Sequence, residues 1–68
     1  SDLVIRVPAD QQSAPGQVTY ANSITLTPGT ISLDVAEGEI EVHALTSDAA
    51  NELAGGEMGR RVRAMERR

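Results

Sequence analysis

Residues 31–44 alternate in polarity: Ile31, Leu33 and Val35 interleave with Ser32 and Asp34, and Ile40, Val42 and Ala44 interleave with Glu41 and His43. A strand turns successive side chains to opposite faces, so each run predicts a strand with one apolar side. Between them "AEGE" supplies Gly38 for the positive φ that a tight hairpin loop demands. The reading is a β-hairpin over 31–35 and 40–45. Its three residues from each strand share a core face, and Asp34, Glu41 and His43 face solvent.

The other elements follow from weaker signals. "LVIRV" at 3–7 is β-branched and apolar enough for a third strand, and Pro8 stops it by removing a ladder donor. "ADQQSAPG" reads as a loop broken by Pro15 and Gly16, with Ser13 a candidate helix cap. Residues 17–23 show no clear period, but the long connection has room for a short crossover helix. In "TPGT", Pro28 presets the second position of a turn and Gly29 accepts the positive φ that a type II turn needs at its third. Trans Pro-Gly geometry splays paired strands, so this turn predicts a corner feeding the strand at Ile31 rather than a second hairpin. Thr25, Thr27 and Thr30 are placed to bond local backbone and close it. "TSDAANEL" starts a helix capped by Thr46 or Ser47, and Gly55 and Gly56 predict a kink or split before "EMGRRVRAMERR" resumes. Met58, Val62 and Met65 then share one helical face.

These elements predict an α+β fold: one domain, 1–68, with a small three-stranded mixed sheet, a hairpin, a C-terminal helix packed on it and a short middle helix. Two strand orders are compatible. If the strands at Leu3 and Ile31 are neighbours they run parallel, and if the strand at Ile40 is central the first strand is antiparallel to it.

A chain of 68 residues with no cysteine, one histidine and Tyr20 as its single aromatic must build its core from aliphatic side chains. No apolar run approaches the roughly 20 residues of a membrane-spanning helix, and no signal-peptide pattern is present, so the chain as given reads as soluble. Residues 57–68 carry five arginines against Glu57 and Glu66, a net +3, whereas residues 1–56 carry Arg6 against eight acids, a net −7. An acidic body with a basic end argues against nucleic acid as the partner. Enzyme chemistry needs converging groups, and His43 beside Glu41 on one strand face lacks a pocket to act in. No phosphate-binding glycine loop, cofactor site or metal-ligand set is legible. The chain therefore reads as no enzyme and takes no small-molecule substrate. Pro28, Gly29 and Gly38 are singled out as structural turns, and Arg60, Arg61, Arg63, Arg67 and Arg68 as candidate partner contacts.

"YANSITLTPGTISLDV", followed by a short turn and "IEVHAL", resembles the C-terminal part of the E-type component of the multisubunit Mrp/Mnh-type Na+/H+ antiporters of bacteria. "VIRVP" resembles that family's entry strand, and "GEMGRRVRAMERR" its variable, charged C-terminal helix. The family's middle segment is an apolar helix, from which "QQSAPGQ" departs through Pro15 and Gly16. The resemblance implies a fragment lacking the parent's N-terminal membrane helices, located on the cytoplasmic side of the inner membrane. It implies a non-catalytic accessory role beside the other antiporter subunits, with anionic lipid headgroups a second candidate contact, and a monomer when isolated. The competing class is a free-standing module whose arginine-rich helix binds an acidic partner or anionic surface.

Overall fold

Strands and helices follow in the order β1 (Leu3–Pro8), α1 (Ala14–Leu26), β2 (Thr30–Ala36), β3 (Glu39–Ala44), α2 (Ser47–Ala54) and α3 (Glu57–Met65), in a computed structural model that describes residues 3–66. The α+β architecture is the expected one, with β3 central in the order β1-β3-β2. Both pairings are antiparallel, so the sheet is not mixed. β1 and β2 point the same way but never touch, because the hairpin inserts β3 between them. The hairpin loop is Glu37 and Gly38, both at positive φ (55° and 76°), the pair a two-residue type I′ turn requires.

The hairpin departs from expectation in β2. Ser32 pairs with Val42 and Asp34 with Glu41, leaving Leu33 as the extra residue of a bulge. A bulge inverts the alternation on one side of itself. Val35 therefore faces inward opposite Ile40, but Ile31 stands opposite His43 on the outer face, and both Ile31 and Leu33 are about half exposed. Thr30 and Ser32 take the inward positions instead. Their hydroxyls donate to the α1 carbonyls of Ile24 (2.7 Å) and Ala21 (2.7 Å).

α1 spans 13 residues, longer than the short helix expected and intact despite Pro15 and Gly16. Ser13 caps it by accepting from the Gly16 amide, and Pro15 falls in the first turn, where its missing N–H costs nothing. The helix buries Gly16, Tyr20, Ala21 and Ile24, whereas Val18 and Leu26 face solvent. Small residues inside and apolar ones outside erase the amphipathic contrast, which explains why no period is legible. Its hydroxyl residues fold back on the helix itself: Thr19, Ser23 and Thr27 donate to the carbonyls of Pro15, Thr19 and Ser23.

The C-terminal helix is split. Thr46 caps α2 through its side chain, and Gly56 at φ 82° ends the run before α3. Val62 is buried and Met58 packs against the core, but Met65 is 62% exposed, contrary to the expected three-residue face. The stripe of α3 that meets α1 runs instead through Gly59, Val62 and Glu66. A Cβ on Gly59 would lie 3.0 Å from the Tyr20 ring, and the Gly59 carbonyl accepts from buried Gln11 (2.9 Å). Tyr20, Ile24, Ile40 and Val42 are the largest fully enclosed side chains. Burial, reinforced by Asp10, raises the Tyr20 phenol above its ordinary pKa.

Glu66 closes the start of α1 from the far end of the chain. Its carboxylate accepts from the Ser13 hydroxyl (2.6 Å) and from the amides of Gln12 (2.9 Å) and Ser13 (3.1 Å). α1 has no acidic residue in its own first turn, so Glu66 supplies the negative charge that a helix N-terminus favours. The Ser13 hydroxyl first, then the Gln12 amide, hold the carboxyl below the usual glutamate pKa. A lowered folded-state pKa stabilises the fold above the unfolded value and is lost as pH falls through that value toward the folded one. Glu66→Gln is therefore expected to lower Tm at neutral pH and to flatten the fall of Tm on acidification below the ordinary glutamate range. Circular-dichroism melts across pH check both.

Gly59→Leu tests the helix contact. Helix propensity alone would favour leucine by roughly 1 kcal/mol, but overpacking against Tyr20 costs about 1–3 kcal/mol. Urea unfolding is expected to show a net loss, with larger near-ultraviolet changes at Tyr20 than far-ultraviolet ones.

Candidate functional site

The corner that carries Pro28 and Gly29 lies where α1, β2 and the end of β3 meet. The Thr30 amide donates to the Thr27 carbonyl (3.3 Å), and Gly29 sits at φ 88°, the sign a type II turn needs at its third position. The Gly29 carbonyl accepts from the Leu45 amide (2.8 Å), tying the corner to the residue after β3. Thr25 accepts from the Ser32 amide (3.0 Å), and the hydroxyls of Thr27 and Thr30 donate to α1 carbonyls. All three threonines are thus committed to backbone. Gly38 lies at the other end of the sheet, at the exposed hairpin tip, where its carbonyl accepts from Ala9 (2.8 Å).

Beside the corner opens a cleft of about 440 Å³. Thr27 and Pro28 form one wall, Ala49 and Leu53 of α2 the other, and Met58 of α3 closes the base. Glu52, Glu57 and Arg61 stand around it. Glu57 and Arg61 neutralise one another through an ion pair of 2.8 Å at i,i+4 spacing. The cleft has an apolar body and room for a side chain or two. Among the described residues no group of three His, Cys, Asp or Glu could hold a metal ion.

The arginines are less free than their sequence suggests. Arg60 donates to the Gly55 carbonyl at the C-terminus of α2 (3.0 Å), Arg61 pairs with Glu57, and Arg63 lies 3.8 Å from Glu66. Arg61 keeps a broad exposed surface, whereas Arg63 is mostly covered. Arg67 and Arg68 lie outside the described residues. Of the turn residues and arginines, Pro28 and Arg61 line the cleft, whereas Gly29 does not and Gly38 is remote from it. Sequence reasoning missed Glu66, Gln11 and the Tyr20–Gly59 contact. The one available signal was a capped helix whose first turn lacks an acid.

Gly29→Val places a β-branched residue at positive φ, a strain of about 1–3 kcal/mol, and brings its Cβ to 3.4 Å from Ala49. The expected result is a lower Tm by several degrees, with Gly29→Asn less affected because asparagine tolerates this region.

The family model for "MNHE: Na+/H+ ion antiporter subunit" matches residues 2–68. A chain in the structure of the Mrp complex from Dietzia sp. DQ12-45-1b is similar, with a TM-score of 0.68 and 27% identity, covering 94% of this chain and 66% of that one. This chain thus spans just under two thirds of that relative's length. The comparison with curated proteins gives no match. With the family model covering nearly every residue, and the fold shared with a chain of an Mrp complex, the chain belongs to the MnhE family of Na+/H+ antiporter subunits.

Proposed function

We propose that this chain is a non-catalytic accessory domain of a multisubunit Na+/H+ antiporter. In this reading it supports assembly and stability of the membrane complex by packing against other subunits, on the cytoplasmic side of a bacterial cell membrane. Membrane helices preceding it in a longer parent belong to the same proposal; among the described residues no helix is long and apolar enough to cross a bilayer. The family match over residues 2–68 carries the reading.

The side chains support assembly over ion handling. The threonine hydroxyls of the corner bond to backbone groups of α1 and β2, which gives them a structural duty in closing the corner. The arginines of α3, together with Arg67 and Arg68 in the sequence, are the proposed contact to an acidic patch on a neighbouring subunit or to anionic headgroups, where each basic residue is worth about 1 kcal/mol.

Replacing Arg60, Arg61, Arg63, Arg67 and Arg68 by glutamine in an affinity-tagged parent protein tests this. Recovery of the other antiporter subunits is expected to fall by about tenfold, with a small change in Tm from loss of the Arg60 and Arg63 contacts. Wild-type binding to anionic vesicles that weakens with salt would assign the arginines to lipid. Unchanged recovery without vesicle binding would reduce them to charges at a helix end. Failure of the wild-type chain to recover any antiporter subunit would favour the free-standing module.

A further inference from the structure

The inner face of the sheet is covered by α1 over β2 and by α2 over β1 and β3, and α3 packs on α1. The outer face carries a mixed apolar and charged surface. The register sets Val4, His43 and Ile31 side by side across β1, β3 and β2. Leu33, pushed out by the bulge, and Leu45, two residues beyond His43, extend this row, and all four aliphatic side chains are between 48% and 60% exposed. The next row is Arg6, Glu41 and Asp34, and then Glu39 follows toward the hairpin tip.

The charges of that second row are arranged at a cost. Asp34 and Glu41 stand directly opposite each other, a like-charge cross-strand pair that disfavours the isolated sheet. Arg6, the only cation on the face among the described residues, reaches Glu39 at 3.4 Å rather than Glu41. An apolar row flanked by surplus carboxylates complements a segment that is apolar along one stripe and cationic beside it. It also repels an anionic bilayer.

The edges narrow the form of that segment. On β2 the Thr30 and Ser32 amides are taken by Thr27 and Thr25 of the α1 end, so only the short stretch beyond the bulge is left for strand addition. The Ala9-to-Gly38 bond fixes the β1 alternation, leaving Val4 and Arg6 as the outward-bonding residues before Pro8 ends the edge. An edge of two residues is too short for strand addition, whereas a helix laid on the face completes a third layer.

We propose that the outer sheet face docks a cationic amphipathic helix of another polypeptide, with its apolar stripe over Val4, Ile31, Leu33 and Leu45 and its Lys or Arg residues over Asp34 and Glu41. This deepens the antiporter reading, on which it rests, by giving the chemistry of a partner and a second surface apart from the arginine helix.

The first test uses the isotope-labelled chain and two synthetic helical peptides of about 18 residues (five turns), one of leucine and lysine and one of leucine and glutamate in the same pattern. Saturable amide shifts at Val4, Ile31, Leu33 and Glu41 are expected with the lysine peptide alone. Affinity should fall about tenfold in Ile31→Thr/Leu33→Thr and also in Asp34→Asn/Glu41→Gln, whose melts show whether the fold is retained. No shifts with the lysine peptide, equal shifts with the glutamate peptide, or shifts confined to the α2–α3 cleft would overturn the proposal.

A second arm labels Leu33→Cys with a maleimide, free and within the antiporter assembly. Protection on assembly supports the docking face, and full labelling in a recovered complex sinks it while leaving the antiporter reading intact. If no antiporter subunit is recovered, the antiporter reading fails and the peptide result decides the docking face by itself.

Discussion

Two hydroxyls, those of Thr30 and Ser32, hold α1 against the sheet. They donate to the carbonyls of Ile24 and Ala21, and each such bond contributes about 1 kcal/mol net. Their larger effect is on register. For Thr30 and Ser32 to face α1, Ile31 must face away, yet Val35 must return inward to meet Ile40. One extra residue between them satisfies both demands, and Leu33 is that residue. The bulge, the two occupied amides of the β2 edge and the apolar outer row follow from seating a helix on a strand through two hydroxyls as well as through the apolar contacts of Ala21 and Ile24.

The same constraint marks where the sequence stops being informative. β3 is legible because its alternation has a single interpretation once one face is buried, and β1 because its residues are β-branched and apolar. In β2 the alternation Ile31, Leu33, Val35 is uninterrupted in the sequence, and nothing local announces a bulge, since its cause lies in carbonyls of a helix several residues upstream. α1 is nearly invisible for a related reason. Its core side is made by Gly16 and Ala21 as much as by Tyr20 and Ile24, so hydrophobicity carries little of the signal. The break after α2 is legible at Gly55 and Gly56 because it needs no long-range partner. Of the candidate site, the corner can be read from Pro28 and Gly29, and the ion pairs of Arg61 and Arg63 from the helical spacings to Glu57 and Glu66. The Arg60 bond to the Gly55 carbonyl depends instead on the break between α2 and α3.

Charge is distributed unevenly through the fold. Within the described part of α3 and its end, three arginines face two glutamates, and each guanidinium has an oxygen within reach. On the outer sheet face three carboxylates share Arg6. Within the described residues, Arg61 and Arg63 are therefore paired with carboxylates and Arg60 with a carbonyl. The acidic body, which reads in sequence as ordinary solubilising surface, holds the less satisfied electrostatics.

These two surfaces also differ in how they are coupled to stability. Glu66 joins the end of α3 to the start of α1, and the Gln11–Gly59 bond joins the same two elements in the interior. Displacing α3 thus uncaps α1 and exposes Tyr20, so a disturbance on the arginine side spreads into the core. The outer sheet face has no such link, because its side chains stand on strands whose opposite sides are fixed by Ile40, Val42 and Ala44, all fully buried. Substitutions there leave the packing beneath them in place, whereas substitutions at Gly59, Val62 or Glu66 change the core or the cap.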